Sequence, residues 1–253
     1  MKIGFFDSGF GGLSVLNEAM VRFDGYEFFY FADSKNVPYG TKSVKEITDL
    51  SINACEFLVD LGVDAIVVAC NTATSASIVA LRDKFSLPII GMEPAVKLAL
   101  NTFKNQKTLL IATPATINGT KLKKLIDKLN ASDFVDTLAL PKLVSFAENE
   151  EFTTDNVKLY LQKSFKNLNL NDYSSLVLGC THFNYFKDIL KDILPDHIKF
   201  IDGINGTLNM VSNLNLASKP NNLVRYFCSK EEIQNLDKIN RLLNRLDFVK
   251  SIV

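Results

Sequence analysis

Short, continuously apolar runs alternate with longer amphipathic stretches along most of this chain. The runs fall at 3–6, 28–31, 65–69, 108–112, 134–138, 176–178 and 198–201. Between them, apolar residues recur at helical spacing over 44–61, 73–85, 117–129, 154–168 and 183–194. A strand that is apolar on both faces needs cover on both sides, which helices supply in a parallel α/β sheet. In such sheets ligands bind at the carboxyl ends of the strands, so chemistry belongs in the residues just after each run.

Those ends read DSGFGG (7–12), ADSKNVPYG (32–40), CNTAT (70–74), TPATIN (113–118), LPKLVSFAE (140–148) and CTHF (180–183). They form two sets of three. Asp7 to Thr113 is 106 positions, Asp33 to Pro141 is 108, and Cys70 to Cys180 is 110. So small a drift over three successive strand–helix units predicts an internal duplication. The expected architecture is two pseudo-symmetric three-layer α/β domains with mostly parallel sheets, facing a central cleft. The first spans 1–92 and carries Cys70; the second spans 93–204 and carries Cys180. The remaining 49 residues, 205–253, are too few for a third domain and are expected to fold back onto the first.

Composition narrows the function. Lysine plus arginine equals aspartate plus glutamate at 28 each, so no net field draws in nucleic acid or an anionic membrane surface. Lys121-Leu122-Lys123-Lys124 reads as a solvated helix face. No apolar run approaches the roughly 18 residues of a membrane span. The N-terminus enters a strand at once with no cleavable signal pattern, which predicts a cytoplasmic protein. Cys55, Cys70, Cys180 and Cys228 show no CxxC spacing, and His182 and His197 lie apart in sequence, so no metal site is expected. Cys55 falls in the helical pattern Ile47, Leu50, Ala54, Leu58, Leu61, and Cys228 in a short apolar run; both read as packing.

The glycine-rich DSGFGG admits three readings: a plain strand-to-helix turn, a dinucleotide fingerprint, or a cradle for a small anion. Gly9-x-Gly11-x-x-Ser14 nearly matches the fingerprint, with Asp33 in the place of the ribose acid. The cradle would use backbone N–H groups at a helix N-terminus, helped by the Ser8 hydroxyl. Cys70 and Cys180 each follow a buried strand and open a helix, where the helix dipole favours thiolate. Asn71-Thr72 and Thr181-His182 set uncharged donors beside them. One such thiol, with His182 as its base, suits a hydrolase nucleophile. A matched pair asks for a reaction with two matched sides. Stereochemical inversion is one: one group removes a proton from carbon while another delivers one to the opposite face, and the roles exchange for the mirror-image substrate.

FDSGFGGLSVL (6–16), ADSKNVPYGTK (32–42), VACNTAT (68–74), GMEPA (91–95) and LGCTHF (178–183), taken together in order and spacing, resemble the cofactor-independent glutamate racemases. The resemblance covers essentially residues 1–205. It implies interconversion of L- and D-glutamate for bacterial peptidoglycan, by two cysteines with neither pyridoxal phosphate nor metal, in a homodimer. By the same resemblance Cys70 acts on the D-enantiomer and Cys180 on the L-enantiomer. Asp7, Ser8, Tyr39, Gly40, Asn71, Thr72, Thr181 and His182 would hold the substrate, with Thr116 added. Asp7 would also attract the substrate ammonium and steer a proton near Cys70, with His182 its counterpart at Cys180. Glu148 takes the place of an acid that the family uses near the cleft. Two departures stand out: Val144-Ser145-Phe146 replaces a segment that usually carries proline, and Asn184 replaces a common proline after CTHF. Only Lys35 and Lys42, on the motif edges, are basic, so the substrate carboxylates would rest on hydroxyls, amides and helix N-termini. The alternatives are an aspartate racemase of the same superfamily, a nucleotide-binding oxidoreductase, and a non-catalytic amino-acid-binding protein.

Overall fold

The computed structural model describes residues 1–214 and 223–253; residues 215–222, within the 205–253 tail, lie outside the described residues. The chain begins β1 (Lys2–Asp7), α1 (Leu13–Arg22), β2 (Glu27–Ala32), α2 (Val44–Asp60), β3 (Ala65–Val68), α3 (Asn71–Lys84), β4 (Ile89–Gly91) and α4 (Ala95–Thr102). It continues with β5 (Lys107–Ala112), α5 (Pro114–Asn118), α6 (Thr120–Lys128), β6 (Val135–Ala139), α7 (Lys142–Glu148), α8 (Asp155–Phe165) and β7 (Tyr173–Gly179). After these come α9 (Lys187–Ile193), β8 (Lys199–Ile201) and α10 (Ile204–Ser212). The described tail adds β9 (Val224–Cys228), β10 (Glu231–Glu232) and α11 (Asp237–Ile252).

The strands form one sheet in the order β10-β9-β2-β1-β3-β4 and another in the order β6-β5-β7-β8. The order β2-β1-β3-β4 is thus repeated, unit for unit, in the second sheet, and all these pairings are parallel. The tail extends the first sheet: β9 joins β2 in parallel and β10 turns back against β9. Three strands escaped the hydrophobic pattern. β4 is only three residues long, β10 is two exposed glutamates, and β9 is the short apolar run that the sequence presents only as packing. Two helical stretches are also divided. The 117–129 stretch breaks at Gly119, where a Cβ would come within 2.8 Å of Ser75 Oγ, and 183–194 begins as a 3-10 turn, Thr181–Phe186, before α9.

Alternation within the apolar strands decides what each face covers. Ile3, Phe5, Phe28, Tyr30 and Val67 point to one side of the first sheet, and Phe6, Phe29, Phe31, Ile66 and Val68 to the other. Leu109, Ile111, Leu176 and Leu178 of the second sheet belong to the same apolar cluster as Ile3 and Phe5. One apolar cluster therefore runs from sheet to sheet and packs the two sets of strand ends against each other. Truncating a fully buried member such as Phe5 to alanine should cost about 3–5 kcal/mol. At the edge, α2 is started by a capping box: Ser43 Oγ accepts the Glu46 N–H, and the Ser43 N–H donates to Glu46 Oε2 at 2.9 Å.

Candidate active site

The carboxyl ends of the inner strands bring Asp7, Cys70, Thr113 and Cys180 together, all buried. The Cys70 Sγ lies 3.5 Å from Ser8 Oγ, which donates to Asp7 Oδ1 at 3.4 Å. The Gly9 N–H donates to the same oxygen at 2.9 Å, and Thr181 Oγ1 donates to Asp7 Oδ2 at 3.0 Å. From the second sheet, Cys180 Sγ lies 3.8 Å from His182 Nδ1, and His182 Nε2 is 2.6 Å from Glu148 Oε1. That glutamate oxygen also accepts the Phe10 N–H at 2.7 Å. The loop after β1 is thus stitched to the second sheet at both Asp7 and Phe10, with a thiol beside each stitch.

A second junction is made of hydroxyls. Thr72 Oγ1, at the start of α3, lies 2.9 Å from Thr113 Oγ1 and 3.3 Å from Thr116 Oγ1, both at the start of α5. Thr116 was among the sequence-predicted residues; Thr113 was not. Its signal was already present, since Thr113 occupies the duplicated counterpart of Asp7. Gly40 packs directly against it: a Cβ there would stand 2.6 Å from Thr113 Cβ. Tyr39 enters differently, because its hydroxyl donates to Asp33 Oδ2 at 2.7 Å and its ring packs on Phe6, leaving backbone to face the junction. Asn71 opens α3 and lines, with Thr116, a small cavity of about 70 Å³. Asn184 closes its turn without proline, its Nδ2 donating to Thr181 O at 3.2 Å.

These contacts bear on the dinucleotide reading. Asp33 is buried and committed to Tyr39 and to Asn36, whose Nδ2 lies 3.0 Å from both carboxylate oxygens. The glycine loop is covered by the second sheet's residues, so that a Cβ on Gly11 would stand 2.5 Å from Thr181 Oγ1. Neither the ribose acid nor the pyrophosphate face is presented to a ligand. Two buried tyrosines hold that loop from behind, Tyr30 Oη donating to Gly9 O at 2.7 Å and Tyr185 Oη to Phe10 O at 2.8 Å.

Burial governs the electrostatics. It pushes the Asp7 carboxyl from 3.8 up to about 6, against the pull of His182 and of the Gly9 and Thr181 hydrogen bonds. It also pushes the Cys70 thiol up to about 12, helped by the Asp7 charge; the Ser8 hydroxyl and the Ala73 N–H of α3 only partly offset this. This corrects the expectation that the helix start would favour thiolate at Cys70, which rests as a thiol. Cys180 opens not an α-helix but a 3-10 turn, with no N–H bonded to its sulfur. Burial alone would strip the proton from His182, but its bonds to Cys180 and Glu148 reverse this and hold its pKa well above the imidazole range. Burial would raise Glu148, yet His182, the Phe10 N–H and Lys238 together lower it. Cys55 lies deep in the core with its thiol pushed to about 12, as inert packing requires.

Among the described residues no His, Cys, Asp or Glu cluster is arranged to hold a metal, and no helix is long and apolar enough to cross a membrane. The comparisons place this duplicated parallel fold among the racemases. The Asp/Glu/Hydantoin racemase family matches residues 16–211. A glutamate racemase from Campylobacter curvus (strain 525.92) is 54% identical, with 98% of each chain covered. The crystal structure of glutamate racemase from Campylobacter jejuni subsp. jejuni superposes with a TM-score of 0.82 at 28% identity, covering 99% of this chain and 98% of that one. That from Francisella tularensis subsp. tularensis SCHU S4, in complex with D-glutamate, gives 0.79 at 27% identity, covering 97% and 93%. The chain belongs to the glutamate racemases of the Asp/Glu/hydantoin racemase family.

Proposed function

We propose that this racemase interconverts L- and D-glutamate by passing protons across the α-carbon between Cys70 and Cys180, without a cofactor. The observation that carries the reading is the pair of buried thiols on equivalent strand ends, Cys70 beside the Ser8–Asp7–Thr181 contacts and Cys180 beside the His182–Glu148–Phe10 contacts, both spanning the two sheets. Support for glutamate itself comes from the relatives, one of which holds D-glutamate.

Cys70, resting protonated, is the acid when L-glutamate is the substrate and Cys180 the base. In the reverse direction Cys70 must ionise. A substrate ammonium beside Asp7 offsets the carboxylate charge that otherwise opposes this. His182, steadied by Glu148, serves Cys180 in the same way. Ser8, Thr72, Thr113, Thr116, Thr181, Asn71 and the Tyr39-Gly40 backbone take the carboxylates. Well-aimed donors in a water-poor site contribute about 3 kcal/mol each where negative charge grows as the α-proton leaves. Because the polar groups of both junctions are mostly buried, substrate enters when two lobes, 1–92 with 205–253 and 93–204, move apart. The product supplies peptidoglycan synthesis, and the enzyme works as a cytoplasmic homodimer.

The test uses the purified protein with L-glutamate and, separately, L-aspartate, following optical rotation. Rotation should decay to zero with glutamate and persist with aspartate. Decay with aspartate alone transfers the assignment to an aspartate racemase, and no decay with either refutes the reading.

A further inference from the structure

The His182–Glu148 pair is held from outside as well as from within. Glu148 is the last residue of α7, where the final carbonyls lack partners inside the helix and a cation is favoured by the dipole. Lys238 of α11 supplies that cation: its Nζ donates to Glu148 O at 2.8 Å. The same ammonium sits 4.6 Å from the centroid of the Phe10 ring. Phe10 in turn gives its N–H to Glu148 Oε1, the oxygen that meets His182. One side chain therefore grips both the residue that bears the carboxylate and the residue whose amide aims it. Its helix is firmly seated, with Ile239, Leu242 and Leu246 buried in the common core.

We propose that Lys238 is a positioning residue for the racemase reaction, acting through Glu148 on His182 and so on Cys180. The proposal rests on the two-thiol reading above. Glu148 is faced by His182 from the 3-10 turn, Lys238 from α11 and Asp7 from β1, and its charge is felt by Tyr30 and Tyr185. Of these, His182 and Lys238 favour its ionised form. Without the Lys238 charge, Glu148 takes up a proton at higher pH and releases His182 sooner as pH falls.

The experiment compares full-length Lys238→Met, Lys238→Arg and Arg241→Met with the wild type, measuring kcat and KM in both directions across pH. Arg241 lies one turn further along α11 and makes an exposed pair with Glu150, so it controls for general disturbance of the helix. Lys238→Met should lower kcat about tenfold, on the scale of a misplaced reacting group, with KM little changed. Since the enantiomers are equal in free energy, kcat/KM must fall by one factor in both directions. The acid limb of its pH profile should move to higher pH, Lys238→Arg should recover most of the activity, and Arg241→Met should match wild type. A Lys238→Met enzyme with an unmoved acid limb overturns the proposal. So does a loss that Arg241→Met shares in proportion to a fall in Tm. Those results leave the racemase reading intact, whereas a wild type inert toward glutamate sinks both.

Discussion

Replacing Asp7 with asparagine should strengthen the fold at neutral pH while removing activity. Folding lifts the Asp7 pKa from 3.8 to about 6, so the folded chain binds that proton more tightly than the unfolded one. The resulting cost is absent below pH 3.8, grows as pH rises toward about 6, and is constant above it. At about 1.4 kcal/mol per tenfold change in proton affinity, it reaches about 3 kcal/mol at pH 7.5. Asparagine escapes that cost but offers one acceptor where the carboxylate serves both Gly9 and Thr181, a loss of about 1 kcal/mol. The variant should therefore be about 2 kcal/mol more stable than wild type at pH 7.5 and slightly less stable near pH 4. Urea unfolding of both proteins at the two pH values measures this, and racemisation of L-glutamate should drop at least ~100-fold. A variant that is less stable at pH 7.5, or a stability difference that ignores pH, would refute the argument that Asp7 is kept at the expense of the fold.

The thiols should divide cleanly. Cys70→Ser and Cys180→Ser each abolish racemisation at an unchanged circular dichroism spectrum, while Cys55→Ala and Cys228→Ala retain most of it; comparable loss in all four would point to packing. Gly40→Ala sets a Cβ 2.6 Å from Thr113 Cβ, so it should hold the two halves apart and lower kcat about 100-fold. Unaltered kinetics would show that the Thr72–Thr113 junction need not close.

The sequence made the inner strands legible because buried parallel strands are apolar without interruption, and the residues behind them could be read as a site. The repeat offset even locates Thr113, in the place of Asp7, without giving it a role. What escaped were elements set by tertiary context. β4 is too short to show a period, and β9 gains its meaning only from pairing with β2. Tyr39 could be placed on the site loop but not oriented, since its bond to Asp33 depends on the packing of Phe6 behind it. The ionisation of Cys70 escapes the sequence for a related reason. A helix start is visible in sequence, but the desolvation that outweighs it is visible only in the packed core. Lys238 illustrates the same limit, because nothing in its surroundings along the chain hints at Glu148.

Isotope placement tests the two-thiol claim most directly. With L-glutamate in deuterated water, each group should exchange its own proton with solvent and act on one face only. Early in the reaction the D-glutamate formed should carry α-deuterium while the remaining L-glutamate keeps its α-hydrogen. Deuterium appearing equally in both enantiomers from the outset would mean that a single base serves both faces, and would contradict the account.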